Sequence, residues 1–252
     1  MSDASKIPAG VHVHFIKDVA ILWLNNGENR FNQSSLREIN AALDQVERNG
    51  HAKAMIITGV GKFFSCGLDT AWISQQDTAT LTEFFPAYEN LLQRMLTFPL
   101  VTLAAINGHA YAAGGIIAMA CDYRIMRTQR GWICFPEINI KVPFRPETAS
   151  FLRMKLKDNI VFRDLVLYGQ RLTAEEAVQR AVVDQCVEMK DLINSALAFT
   201  TKRIGTEGFD RQTLQQMKQN LYGNFCRQDI GSTGRSMKEV KVMFTEANKA
   251  RL

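Results

Sequence analysis

Three short stretches carry residue types that could act together on one substrate. Gly61–Asp69 (GKFFSCGLD) and Ala105–Met126 (AINGHAYAAGGIIAMACDYRIM) each follow or contain a short apolar run, and each sets glycine beside a residue able to point its N–H outward. Two amides converging on one oxygen form an oxyanion hole, the strongest generic way to stabilise an enolate. Ala112-Ala113-Gly114-Gly115 opens an apolar helix, where small side chains admit a ligand to the backbone and the first amides lack internal partners. The third stretch, Phe135–Ile140 (FPEINI), puts Glu137 among apolar neighbours. A carboxylate desolvated there has its pKa raised and becomes a competent proton shuttle. Taken singly each signal is weak: two glycines can be a helix–strand contact, and a lone glutamate is usually a surface group.

These residues need rigid supports, and the chain supplies a strand–helix–strand rhythm. Val11–Leu24 alternates and is β-branched, which predicts one or two strands. Ser34 or Ser35 is expected to cap a helix through about Asn49, with Leu36, Ile39, Leu43 and Val46 on one face. Ala54–Thr58 and Val101–Ile106 are short buried strands, Leu81–Thr97 a helix, Gly114 onward an apolar helix, and Asp122–Met126 a strand. Parallel pairing in an α/β core follows. Beyond Ala149 the pattern turns helical: Phe151–Lys157, Ile160–Tyr168, a segment capped by Thr173 with Glu176, Leu192–Arg203, Phe209–Leu221 and the stretch after Ser232.

Composition bounds the partners. A chain of 252 residues, 46% hydrophobic and 22% charged, can bury a sizeable core. It has no apolar run long enough for a membrane span and no signal-peptide core within Met1–Gly10. Cys66, Cys121, Cys134, Cys186 and Cys226 are scattered, which suggests reduced thiols, and neither they nor the four histidines show metal-ligand spacing. No metal is expected. His109, beside the glycines, is expected to be structural or a pocket wall. The net charge of +5 comes entirely from residues 201–252, where ten Lys/Arg face five Asp/Glu. A solvated helical face explains that excess by default, and a phosphorylated ligand is the sharper reading. Without aromatic interleaving, nucleic acid is not an expected partner.

In their order along the chain, NRFNQSSLREI, GKFFSCGLD, AAINGHAYAAGG…ACDYRIM, FPEINI and GQRLTAEEAVQRAVVDQCV resemble the crotonase family, the enoyl-CoA hydratases and isomerases, from Val13 to about Met189. The resemblance implies a spiral of ββα turns over 1–195, then a C-terminal helical region, 196–252, that mediates trimer packing, with a dimer of trimers as the larger possibility. It implies an acyl-CoA thioester as substrate, with coenzyme A part of the substrate and no separate cofactor. The N–H groups of Leu68 and of Ala113 or Gly114 would hold the thioester oxygen. Arg30, Phe31, Ser65, Cys66, Gly67, Asp69 and Ile116 would contact the substrate, Asp69 by stabilising its loop. Hydratases of the family carry two glutamates; here the first position is Ile116 and only Glu137 remains. This pattern is similar to that of the peroxisomal Δ3,Δ2-enoyl-CoA isomerases, and it implies that Glu137 moves one proton from C2 to C4, tuned by Phe135, Ile116 and Trp132.

Lys141 departs from the family, which has glycine four residues after that glutamate. The chain ends in Ala250-Arg251-Leu252, a small–basic–leucine tripeptide resembling a peroxisomal address read by an import receptor. Peroxisome is therefore the expected compartment, with cytoplasm as the alternative. The competing functions are a hydratase- or thioesterase-like acyl-CoA enzyme and a non-catalytic acyl-CoA- or RNA-binding homologue. Against the last stands Glu137, retained with both glycine stretches.

Overall fold

The computed structural model describes residues 7–226 and 236–249. Val11–Leu24 forms two strands, β1 (Gly10–Ile16) and β2 (Val19–Asn25), paired antiparallel. A six-stranded sheet continues in parallel from β2 through β3 (Ala54–Gly59), β5 (Val101–Ile106) and β7 (Tyr123–Arg127) to β9 (Gln185–Val187). A second, three-stranded parallel sheet is built from β4 (Phe63–Ser65), β6 (His109–Tyr111) and β8 (Ile133–Cys134). Each of β3, β5 and β7 is therefore followed by one strand of the small sheet and then by a helix. The two sheets climb in the same order, and the result is the expected spiral of ββα turns.

Alternation along the central strands explains the layers. Ala20, Leu22 and Leu24 point into the larger core with Met55, Ile57, Ala104 and Ile106. Val19, Ile21 and Trp23 point the other way, with Ala54, Ile56, Leu103 and Ala105. Strands buried on both faces must be apolar throughout, as these are. The first face is covered by α1 (Gln33–Arg48), α3 (Thr78–Leu96) and α4 (Ala113–Ala120), the second by α8 (Leu192–Ile204). A division after residue 195 would fall inside α8.

The helix starts refine the expectations. Asn32, not Ser34 or Ser35, caps α1: its side chain accepts from Ser35 N–H at 3.1 Å, and the Ser35 hydroxyl takes the Asn32 N–H at 2.9 Å. The capping box at Thr173 and Glu176 opens α7 (Ala174–Gln179). Before α3 comes a short helix, α2 (Thr70–Gln75), capped by Asp69. The remaining α-helices among the described residues are α5 (Pro146–Lys155), α6 (Asn159–Phe162), which runs on into a π-helical turn (Arg163–Leu167), α9 (Arg211–Cys226) and α10 (Met237–Lys249). α10 folds back onto α2 and α3. Among the described residues no helix is long and apolar enough to cross a membrane. The Ala250-Arg251-Leu252 tripeptide lies outside the described residues.

Part of the C-terminal positive charge is spent inside the fold. Lys218 of α9, only 6% exposed, donates to Asp122 Oδ2 at 2.6 Å and to the Leu100 carbonyl at 2.8 Å. Asp122 also accepts from the Thr102 amide, tying α9 to β5. Beside them Lys155 donates to the Cys121 carbonyl at 3.3 Å and lies over the Tyr222 ring. Burial, with Arg124 nearby, brings the Lys155 ammonium down to about 8. A lysine depressed in the fold binds its proton more tightly when unfolded, so stability is lost as pH falls from the unfolded value of about 10.4 toward 8. Between pH 8 and 9 this group alone should raise unfolding free energy by about 1 kcal/mol, while ionisation of the unfolded thiols, whose buried counterparts Cys121 and Cys134 stay protonated, works the other way in any variant that keeps them. Urea titrations of wild type and Lys155→Met at pH 8 and 9 check this: the thiols are common to both, so the stability of wild type relative to the variant should grow by about 1 kcal/mol.

Candidate functional site

A cavity opens between α3, the β4–α2 loop, the start of α4, residues 137–148 and α10. It is lined by Cys66, Leu68, Ala113, Ile116 and Glu137. Five of the residues expected at the site are thus brought together. Its volume, about 360 Å³, is that of a small-molecule pocket.

The loop carrying Leu68 is aimed by strand geometry. Phe31 N–H donates to the Gly67 carbonyl at 2.8 Å, and Asp69 N–H donates to the Phe31 carbonyl at 2.9 Å. Amides alternate along an extended chain, so the Leu68 N–H faces away from Phe31. It donates to no protein acceptor among the described residues. Ala113 lies beside this loop because Gly67, at φ +79°, has no side chain: a Cβ there would stand 2.9 Å from Ala113 N. Gly114 is backed against the Ser65 carbonyl in the same way, and a Cβ would lie 2.3 Å from it.

The entry to α4 is bent. Ala112 adopts φ +50° and ψ −127°, a region that costs a non-glycine residue on the order of 1–3 kcal/mol. The Ala112 amide is held by the Cys134 carbonyl at 3.0 Å, and the first bond of the helix is Ile116 N–H to the Ala112 carbonyl. The N–H groups of Ala113, Gly114 and Gly115 thus have no protein acceptor among the described residues. That leaves the positive end of the helix pointing at the cavity.

Glu137 opens a short 3₁₀ turn (Glu137–Ile140) after buried Phe135 and is itself 8% exposed. Lys141 ends that turn at φ +57° with its side chain exposed. The left-handed conformation is why glycine suits this position.

Other expected contacts sit behind the wall. Ser65 is fully buried; its hydroxyl donates to the Asn29 carbonyl and accepts from Gly67 N–H. Asp69 caps α2 through Trp72 N–H and accepts from Asn32, a loop-holding role. Phe31 is buried against the Tyr88 ring, 5.9 Å between centroids. Arg30 pairs with Glu28 at 2.6 Å. Trp132, expected to desolvate Glu137, instead packs with His109, Tyr111 and Arg171 on the far side of the small sheet. His109 belongs to that aromatic group, and burial lowers its pKa. No group of three metal-ligating side chains occurs among the described residues.

Several lining residues were not foreseen. Phe85, Tyr88 and Glu89 come from α3, Arg145 and Thr148 from the start of α5, and Met237, Val240, Met243 and Phe244 from α10. Phe244 of α10 meets Phe85 at 5.8 Å, so α10 closes the apolar end. Arg145 forms an ion pair with Glu89 and lies 3.5 Å from Glu147. The amphipathic pattern of α3 announces a buried face and not what that face surrounds.

The family model for enoyl-CoA hydratase/isomerase matches residues 15–242. A peroxisomal enoyl-CoA delta isomerase 2 of Arabidopsis thaliana is 28% identical over 217 residues, 83% of this chain and 90% of the relative. A putative enoyl-CoA hydratase of Thermus thermophilus is 29% identical over 172 residues, 66% of this chain and 67% of the relative. The crystal structure of human mitochondrial delta3-delta2-enoyl-CoA isomerase superposes with a TM-score of 0.84 at 22% identity, covering 96% of this chain and 95% of that one.

Proposed function

Because the chain belongs to the enoyl-CoA hydratase/isomerase family, we propose that its cavity isomerises 3-enoyl-CoA to trans-2-enoyl-CoA, as a Δ3,Δ2-enoyl-CoA isomerase of fatty-acid β-oxidation. The observation that carries this reading is that, among the described residues, α4 brings no second carboxylate to the cavity to work with Glu137. Glu137 lines the cavity with Leu68 and Ala113, while the position in α4 where a hydratase would carry a second glutamate holds Ile116. Among the described residues the one further carboxylate lining the cavity is that of Glu89, in an ion pair with Arg145. Hydration asks for a base to activate water and an acid to protonate carbon. A double-bond shift asks only for one group that takes a proton and gives it back.

On this reading the thioester carbonyl lies between the amides of Leu68 and Ala113. The Glu137 carboxylate removes a proton from C2. The C–H electron pair forms the C1–C2 double bond of a dienolate, and charge gathers on the thioester oxygen facing the two amides. The protonated Glu137 then delivers the same proton to C4. The electron pair of the former C3–C4 double bond takes it up, and C2–C3 becomes the double bond. Apolar Ile116, Val142 and Phe244 exclude water that would otherwise add to the product. The names of the Arabidopsis isomerases 1 and 2, both described as peroxisomal, support a peroxisomal setting; the proposed assembly is a homotrimer or a dimer of trimers.

The test is to incubate the protein with trans-3-hexenoyl-CoA and follow the conjugated 2-enoyl thioester by absorbance, then to supply trans-2-hexenoyl-CoA and follow hydration. Rapid conjugation with little hydration is expected. Hydration outpacing isomerisation, or no conjugation across chain lengths, would overturn the reading.

A further inference from the structure

We propose that Tyr88 is a positioning residue for the proton shuttle, its phenol hydroxyl donating a hydrogen bond to the Glu137 carboxylate when substrate fills the cavity. This rests on the reading that Glu137 moves the proton.

The Tyr88 side chain is 8% exposed, lines the cavity with Glu137, and buries its hydroxyl without a hydrogen-bond partner among the described residues. A buried O–H with no acceptor is costly, and such groups are rare enough to need a reason. The ring is fixed by Phe31 at 5.9 Å, leaving the O–H rotor as the free element. Burial first, and then the charge of Glu137, push the phenol's pKa up, so it stays protonated and can act as a donor, not a base.

The choice of acceptor follows by chemistry. Beyond its thioester carbonyl, a hydrocarbon enoyl chain has no oxygen to offer, and that carbonyl is assigned to the amides of Leu68 and Ala113. Glu89 is held by Arg145. Glu137 is the carboxylate that must stay ionised while an entering acyl chain strips water from around it. A neutral donor favours the charged form and offsets that desolvation.

Among the described residues, ionisable groups lining the same cavity or felt at Glu137 include Tyr88 and Glu89 from α3, Cys66 from the loop after β4, Cys134 from β8, and Arg145, with Glu147 beside it, from the start of α5. Lys141, next to the turn, is exposed. α4 and α10 contribute apolar side chains only. Cys134 is buried, which holds its thiol neutral.

The experiment measures kcat and KM with trans-3-hexenoyl-CoA from pH 5 to 9 for wild type, Tyr88→Phe and Glu137→Gln. Phenylalanine keeps the ring and its packing, so KM and melting temperature should stay near wild type. The acidic limb of kcat is expected to move up by about one pH unit, so kcat falls about tenfold below the limb and converges with wild type above it. An unmoved limb, a loss independent of pH, or an effect confined to KM would overturn the proposal. Glu137→Gln inactive beside a wild-type-like Tyr88→Phe removes Tyr88 alone. Glu137→Gln still active removes both assignments.

Discussion

Glu137→Gln is expected to lower kcat for 3-enoyl-CoA by about 10²–10⁴-fold while the protein still folds and binds substrate. Glutamine keeps the volume and removes the proton-carrying oxygen. The 3₁₀ turn does not depend on the carboxylate: Val142 N–H bonds the Glu137 carbonyl at 3.1 Å, and Asn139 N–H bonds the Pro136 carbonyl at 2.9 Å. The loss should therefore fall on kcat, with KM and the melting curve close to wild type. A second readout separates proton removal from the full reaction. A saturated acyl-CoA in deuterated water should exchange its C2 protons with wild type and not with the variant. Exchange that survives in Glu137→Gln would assign the base elsewhere in the cavity.

Much of this architecture is legible in the sequence because parallel strands buried on both faces are written as unbroken apolar runs. Ala54–Thr58 and Val101–Ile106 are of that kind, and both form strands at those positions. The strands of the small sheet are not legible. β4, β6 and β8 are two or three residues long, too short for any periodicity, and exist because the neighbouring ββα turn supplies their partners. The cap of α1 is Asn32 and not a serine because three of the four residues 32–35 can cap, and only the geometry of the Ser35 amide chooses. In the site, Leu68, Ala113 and Glu137 were marked by glycine or by an apolar context. Tyr88, Glu89 and Arg145 lie in helices whose pattern is that of any amphipathic surface, and α10 joins the cavity only through its fold-back onto α2 and α3. Trp132 was misplaced for a related reason. It is five residues from Glu137 in sequence, but side chains alternate along β8, so Trp132 points away from buried Ile133 and joins His109 instead.

Gly114→Ala should damage both stability and turnover, and the sign of the stability change is the informative part. Alanine inside a helix is ordinarily favoured over glycine by about 1 kcal/mol, so a glycine kept only for flexibility would yield a more stable protein when replaced. Here the new Cβ would stand 2.3 Å from the Ser65 carbonyl oxygen and 2.7 Å from Ser65 Cβ. Ser65 cannot retreat. Its hydroxyl is bonded to the Asn29 carbonyl at 2.7 Å and to Gly67 N–H at 3.1 Å, so moving it drags the loop that carries Leu68. Relief must come from sliding the first turn of α4 away, which parts the Ala113 amide from the Leu68 amide. A loss of about 1–3 kcal/mol is expected from the overpacking. A fall in kcat of about 10²–10³ is expected if one of the two donors is displaced. Gly50→Ala is the control, because nothing lies within 4 Å of its would-be Cβ, and its stability should stay within about 0.5 kcal/mol of wild type. Should Gly114→Ala match Gly50→Ala in melting temperature and in kcat, close approach of the two backbones would not be what the Ala-Ala-Gly-Gly run provides. A melting temperature lowered together with kcat, at unchanged Glu137, would tie the glycine directly to the pair of amides it holds in place.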